Sequence, residues 1–188
     1  GAPRIFEKVR SAVLLSSPSN GIKGRIARWA FAVGRASREY RLAGKPLKIR
    51  RPSKAIKKGI AYLTEDRKRS GLCTILPCSW NMTLPNYPRI GMRLLLRLRK
   101  ERKLCRSYGE KVSVKWSAPE APVNSLSGGN QQKLLVGRWL MARSEFLIFD
   151  EPTRGIDVGA KKEVYHLLTD LAAAGKGILM ISSELPEL

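Results

Sequence analysis

A parallel α/β sheet is what this 188-residue sequence predicts, on three observations. Phe146-Leu147-Ile148-Phe149 and Gly177-Ile178-Leu179-Met180-Ile181 carry no polar side chain, as expected of strands covered on both faces. Between them Val164, Leu167, Leu168 and Leu171 recur at helical spacing, in a helix that ends near Gly175. Strand, helix and strand joined by a right-handed crossover form a parallel pair. Ile60-Ala61-Tyr62-Leu63 is a further compact run of the buried-strand type.

The remaining elements follow in chain order. Residues 1–38 are basic, rich in Ser and Gly, and weakly patterned. Tyr40-Arg41-Leu42, a turn at Gly44-Lys45-Pro46 and the alternating Leu47-Lys48-Ile49 read as strand, turn, strand. A helix is expected after Pro52, with Ser53 as its N-cap and Gly59 as its C′ glycine. The strand at Ile60 then ends in Thr64-Glu65-Asp66-Arg67. Residues 67–124 are the least regular, and Met92-Arg93-Leu94-Leu95-Leu96-Arg97-Leu98-Arg99 mixes Leu and Arg at helical spacing, so a helical insertion is expected. Its basic side suits either a solvated helix face or contact with anionic lipid. A helix after Gly129 places Leu135, Trp139 and Ala142 on one face at i, i+4 and i+7.

Composition narrows the function classes. An apolar share of 43% suffices for a core. The net charge of +21 is unevenly placed: residues 1–118 carry 29 Lys+Arg against 6 Asp+Glu, and residues 119–188 carry 7 against 9. A basic half suits nucleic acid, anionic lipid or plain solvation. No DNA- or RNA-binding motif accompanies it, so nucleic acid is not assigned as a partner. Cys73, Cys78 and Cys105 form no C-x-x-C pair and His166 is remote from them, which argues against a metal site or disulfide framework and for a reducing compartment. The longest uncharged stretch, Leu72 to Pro88, holds three prolines and makes no membrane helix. Ala12-Val13-Leu14-Leu15 is too short for a signal peptide.

Two motifs carry chemistry. Ligands of open parallel sheets sit outside the carboxyl ends of strands, where Asp150 and Glu151 fall. An Asp there can hold Mg²⁺, directly or through water, and the neighbouring Glu can polarise a water for attack on a γ-phosphate. Ser127-Gly128-Gly129 opens a helix whose free N–H groups and positive dipole end suit a phosphate. Taken singly, Asp-Glu-Pro is equally an acidic turn, and Ser-Gly-Gly equally a serine N-cap beside a flexible loop.

Their order and spacing are more specific than either alone. Leu126-Ser127-Gly128-Gly129-Asn130-Gln131-Gln132-Lys133 resembles the signature motif of ATP-binding-cassette proteins, Phe146 to Pro152 resembles their Walker B strand with its catalytic glutamate, and Gly155-Ile156-Asp157 resembles the D-loop. Tyr62 to Gly71, Asn130, Asp157-Val158-Gly159-Ala160-Lys161 and Ile181-Ser182-Ser183-Glu184-Leu185-Pro186-Glu187 are similar to one subfamily. It is the second nucleotide-binding domain of the tandem ATPase subunit of ribose-, galactose- and xylose-type importers. The resemblance covers about residues 39–188.

It implies a P-loop-NTPase-like α/β fold, a parallel sheet with a helical insertion at about 67–124, incomplete at both ends. The implied cofactors are ATP and Mg²⁺. Glu151 is the implied catalytic residue, Ser127, Gly128, Gly129, Asn130, Asp150, Asp157 and Glu65 the nucleotide-binding residues, and Asp150, with Glu65 as a further candidate, the Mg²⁺ ligand. The implied partners are a first nucleotide-binding domain, a membrane permease and, indirectly, a sugar-binding protein, at the cytoplasmic face of the plasma membrane.

The departures bear on activity. Glu65 stands where most cassette ATPases have the Q-loop glutamine, and Ser183 where they have the switch histidine. A P-loop needs G-x-x-x-x-G-K-[ST], yet no lysine here precedes Ser or Thr. The nearest trace is Gly24-Arg25, followed by Ile26, so residues 1–38 are expected to be a divergent segment without a Walker A motif. Three readings stand: an importer ATPase fragment, a non-catalytic cassette remnant, and a nucleic-acid-associated cassette.

Overall fold

In the computed structural model the described residues are 12–15, 40–42, 45–47, 49, 51–86, 91–92, 95–96 and 98–183. The two later apolar runs pair in parallel as the sequence predicts, and the run at Ile60 joins them. β4 (Ile60–Leu63) is parallel to β7 (Phe146–Asp150), and β7 is parallel to β8 (Gly177–Ile181). β1 (Ala12–Leu15), out of the basic first stretch, adds an antiparallel strand beside β8, giving the order β1-β8-β7-β4.

Alternation along these strands divides the core. Ala61, Leu63, Leu147, Phe149, Ile178 and Met180 share a cluster with Leu134, Leu135, Val164, Leu168 and Leu171. Ile60, Phe146, Ile148, Leu179 and Ile181 form a second cluster on the opposite face, with Ala55 and Tyr62 against it. Covering both faces explains why the strands read as unbroken apolar runs. Burial of each large side chain contributes about 1.5–3 kcal/mol.

The helix α1 (Pro52–Lys57) starts two residues earlier than expected. Arg51 is its N-cap and Pro52 its first residue, because proline's fixed φ suits that position. Gly59 closes it at φ +74, as expected of a C′ glycine. The early hairpin is shifted too: β2 (Tyr40–Leu42) pairs with β3 (Lys45–Leu47) rather than with Leu47–Ile49, and Pro46 lies opposite Arg41.

Residues 67–124 contain a single π-helical turn at Arg67–Gly71, the helix α2 (Cys78–Thr83), a short hairpin of β5 (Gly91–Met92) and β6 (Leu95–Leu96), and the helix α3 (Leu98–Lys111). The Leu/Arg spacing of 92–99 therefore does not mark one helix. Met92, Leu95 and Leu96 lie in paired strands and α3 begins at Leu98, since a short run of mixed apolar residues fits either period.

The sequence predicts one apolar face for the helix α4 (Gly128–Met141). Leu135 and Ala142 are buried and Trp139 is half-buried, but so are the polar Gln131, Gln132, Lys133 and Arg138. The helix is central, packed between α2 and α3 on one side and the sheet and α5 on another. The helix α5 (Val158–Ala173) turns Val164, Leu168 and Leu171 inward and is closed by Gly175 at φ +85. Among the described residues no helix is long and apolar enough to cross a membrane.

Candidate functional site

Asp150 ends β7 and is 5% exposed. Its Oδ2 accepts a 2.7 Å hydrogen bond from the hydroxyl of Tyr62. Burial, then the bond to Asp150 and its negative charge, push the Tyr62 phenol pKa well above the ordinary tyrosine value. Glu151 follows at φ +49, in the left-handed region. Its N–H donates to the Ile181 carbonyl at 2.9 Å, and its carbonyl accepts from Arg154 N–H at 3.2 Å. This turn at the sheet's carboxyl edge leaves Glu151 half-exposed, whereas Pro152 and Thr153 are buried.

The start of α4 is built by its own side chains. Ser127 is the N-cap, and its Oγ accepts from Asn130 N–H at 3.4 Å and from Asn130 Nδ2 at 3.0 Å. The hydroxyl keeps its own proton to donate. Asn130 Oδ1 in turn accepts from Lys115 N–H at 2.8 Å, beside an open hollow of about 650 Å³ bordered by Lys115, Trp116, Ser125 and Leu126. Gly129 lies so close to α5 that a Cβ there would come within 2.6 Å of Ala160 Cβ. A Cβ on Gly128 would meet Arg67 Nη2 at 2.7 Å.

Glu65 forms an ion pair with Arg154. Arg67, 8% exposed, donates from Nη1 to the Arg154 carbonyl at 2.7 Å, from Nη2 to the Gly155 carbonyl at 3.0 Å and from Nε to Gln131 Oε1 at 3.4 Å. Asp157 is the N-cap of α5 and accepts from Ala160 N–H at 2.8 Å. The residues singled out from sequence thus gather on neighbouring segments. Asp150 and Glu151 lie at the strand end, Asp157 six residues beyond Glu151, and Ser127 to Asn130 at the helix start that Arg67 joins to Gly155.

Tyr62, Arg67 and Arg154 were not singled out. A hydroxyl inside the apolar run 60–63 is the signal for Tyr62. Arg67 and Arg154 carry none, because their partners lie 64 to 89 residues away.

The donor set fits Mg²⁺ through Asp150, a hard oxygen ligand with one oxygen held by Tyr62. Among the described residues no group of three or more His, Cys, Asp and Glu is placed to hold a metal ion.

A family model described as ABC transporter matches residues 32–154. The ribose import ATP-binding protein RbsA of Geobacillus kaustophilus is 48% identical over 144 residues, covering 77% of this chain and 29% of that protein. The xylose import ATP-binding protein XylG of Thermoanaerobacter pseudethanolicus is 47% identical over 155 residues, covering 82% and 31%. The chain spans about three-tenths of the length of the curated relatives it matches. Among solved structures, a nucleotide-free ATP-binding cassette from an ABC transporter superposes with a TM-score of 0.64 at 17% identity, covering 79% of this chain and 60% of that one. A cassette in a post-hydrolysis state bound to ADP and Pi superposes with a TM-score of 0.62 at 18% identity, covering 79% and 63%. These likenesses show the fold, a parallel sheet of the P-loop-NTPase type with helices on it.

Proposed function

We propose that this chain, which belongs to the ABC transporter family, is part of the ATP-binding subunit of a monosaccharide importer, coupling ATP binding and hydrolysis to sugar uptake at the cytoplasmic face of the plasma membrane. The relatives named for ribose and xylose import support the substrate class. The observation that carries the reading is the gathering of Asp150 and Glu151 at one strand end, with Ser127 and Asp157 capping the two adjacent helix starts.

ATP and Mg²⁺ supply the transferable phosphoryl group and the charge that steadies it. Asp150 would hold the cation, directly or through water, and Glu151 would polarise the attacking water. Ser127, Gly128, Gly129, Asn130 and Asp157 would face a nucleotide held by a first nucleotide-binding domain. Glu65, paired with Arg154, would report the state of the site to residues 67–124. There Ile75, Trp80 and Leu84 are exposed apolar residues suited to a membrane permease, with the sugar-binding protein a more distant partner.

A second reading is a cassette that docks but does not hydrolyse. The Tyr62 bond on Asp150 and the lack of a lysine before Ser or Thr favour it. Titration of the chain with ATP separates the two: micromolar, Mg²⁺-dependent binding supports the ATPase, and no binding supports the remnant. Reconstitution with a first domain and permease then tests the roles. Glu151→Gln is expected to stop hydrolysis and uptake while leaving nucleotide binding intact. Unchanged activity in Glu151→Gln and Ser127→Ala variants would sink the assignments.

A further inference from the structure

We infer that Arg67 is a positioning residue: its guanidinium fixes the loop Arg154–Asp157 against the first turn of α4, so that the segment bearing Glu65 sets the surface made by Ser127, Gly128 and Asp157. The link to a nucleotide on that surface rests on the function proposed above. The clamp itself does not.

Three features argue for a built clamp. The guanidinium satisfies acceptors from two separate stretches, the carbonyls of Arg154 and Gly155 and the side chain of Gln131 one turn into α4. These acceptors diverge, and a planar fork of donors reaches them where a single ammonium does not. Gly128 is shaped around it, since a Cβ there would stand 2.7 Å from Nη2 and 3.2 Å from the Gly155 carbonyl. The position is also unfavourable for a charge. The start of α4 is the positive end of a helix, and burial pulls the Arg67 pKa below the ordinary arginine value. The three acceptors offset that cost, with the negative charge of the neighbouring Asp66 acting in the same direction.

The consequence is mechanical. Arg67 opens the π-helical turn Arg67–Gly71, two residues beyond Glu65. Glu65 binds the side chain of Arg154 while Arg67 binds its carbonyl, so the two segments grip each other twice. A displacement of residues 65–67 therefore reaches the loop after Glu151 and the start of α4 together.

Hydrogen–deuterium exchange on the whole chain without nucleotide tests this, so the result does not depend on whether the chain binds ATP. The amides of Arg154, Ile156, Asn130 and Gln131 are hydrogen-bonded here and are the reporters. Arg67→Ala is expected to speed their exchange about tenfold, with β7 and β8 unchanged. Arg67→Lys is expected to give little rescue. Gly128→Ala, which pushes the guanidinium aside, is expected to reproduce the effect and to add little to Arg67→Ala. In the wild type, ¹⁵N spectra should resolve separate Arg67 Nη1 and Nη2 signals, because rotation of a clamped guanidinium is slowed. Unchanged reporters, equal acceleration in the strands, full rescue by lysine, or additive effects of the two substitutions would each overturn the inference. Should Arg67→Ala not fold, Arg67→Lys, Gly128→Ala and the wild-type spectrum decide it.

Discussion

The hydroxyl of Tyr62 donates a 2.7 Å hydrogen bond to Asp150 Oδ2. The register places Tyr62 opposite Ile148, so Asp150 is its diagonal neighbour two residues on, on the same face of the sheet. One oxygen of the proposed cation ligand is thereby held by a neutral donor, and the carboxylate is oriented before any ligand arrives.

Tyr62→Phe removes that donor from a buried carboxylate. Unfolding free energy should fall by about 1–2 kcal/mol, read as a drop of several degrees in Tm by circular dichroism. The pH dependence follows from the raised phenol pKa. Below about pH 10, the ordinary tyrosine value, both folded and unfolded chains keep the proton and the contribution is complete. Above it the unfolded chain releases a proton that the folded chain retains, so stability falls as pH rises. The wild type should therefore lose more stability than Tyr62→Phe between about pH 9.5 and 11.5. Equal slopes would contradict the bond.

Glu151 sits at φ +49, where an L-residue is disfavoured by about 1–2 kcal/mol. Glu151→Gly relieves this and forfeits about 0.5–1 kcal/mol through the freer unfolded chain, for a net gain of up to about 1 kcal/mol. A higher urea midpoint with an unchanged m-value is the expected result. Glu151→Ala should show no such gain. Stability released at the proposed catalytic residue is the mark of strain kept for function.

The sheet was legible because strands buried on both faces must be apolar throughout, as Phe146–Phe149 and Ile178–Ile181 are. Gly59 and Gly175 were legible because a positive φ after a helix calls for glycine. The burial of polar residues on α4 was not, because Gln131, Lys133 and Arg138 look like a solvated face until Arg67, Ser113 and Asn81 meet them. The carboxylates Asp150 and Glu151 announced themselves by following an apolar strand. The Arg67 contacts did not, since they end on backbone carbonyls, which any sequence supplies.

Burial raises the thiol pKa of Cys78 to about 11 and that of Cys105 to about 12, while Cys73 is exposed. The thiolate is the reactive form. Of the three cysteines, only Cys73 should react with a thiol reagent at neutral pH in the folded chain, and all three after denaturation. Rapid native labelling of Cys105 would contradict the packing of α3 on α2, where Cys105 Sγ lies 3.7 Å from Met82 Sδ.

Arg138 ties α4 to α2 and to the end of the π turn. Nε donates to the Asn81 carbonyl at 2.6 Å, Nη1 to the Gly71 carbonyl at 2.6 Å and Nη2 to Asn81 Oδ1 at 3.1 Å. Burial lowers its pKa to about 10, which means these acceptors hold a charge the interior otherwise resists. Arg138→Leu leaves them without a donor in a site closed to water, at a cost of about 3 kcal/mol or more in urea unfolding. Arg138→Lys should recover part of this, because one ammonium replaces only some of the fork. Asn81→Ala also frees Cys73 N–H and the carbonyls of Cys73 and Pro77, so it should destabilise strongly by itself. In the double variant the shared bond is lost once rather than twice, so the two costs should fall short of their sum by about 1 kcal/mol or more. Strict additivity would mean that Arg138 and Asn81 do not act as one network.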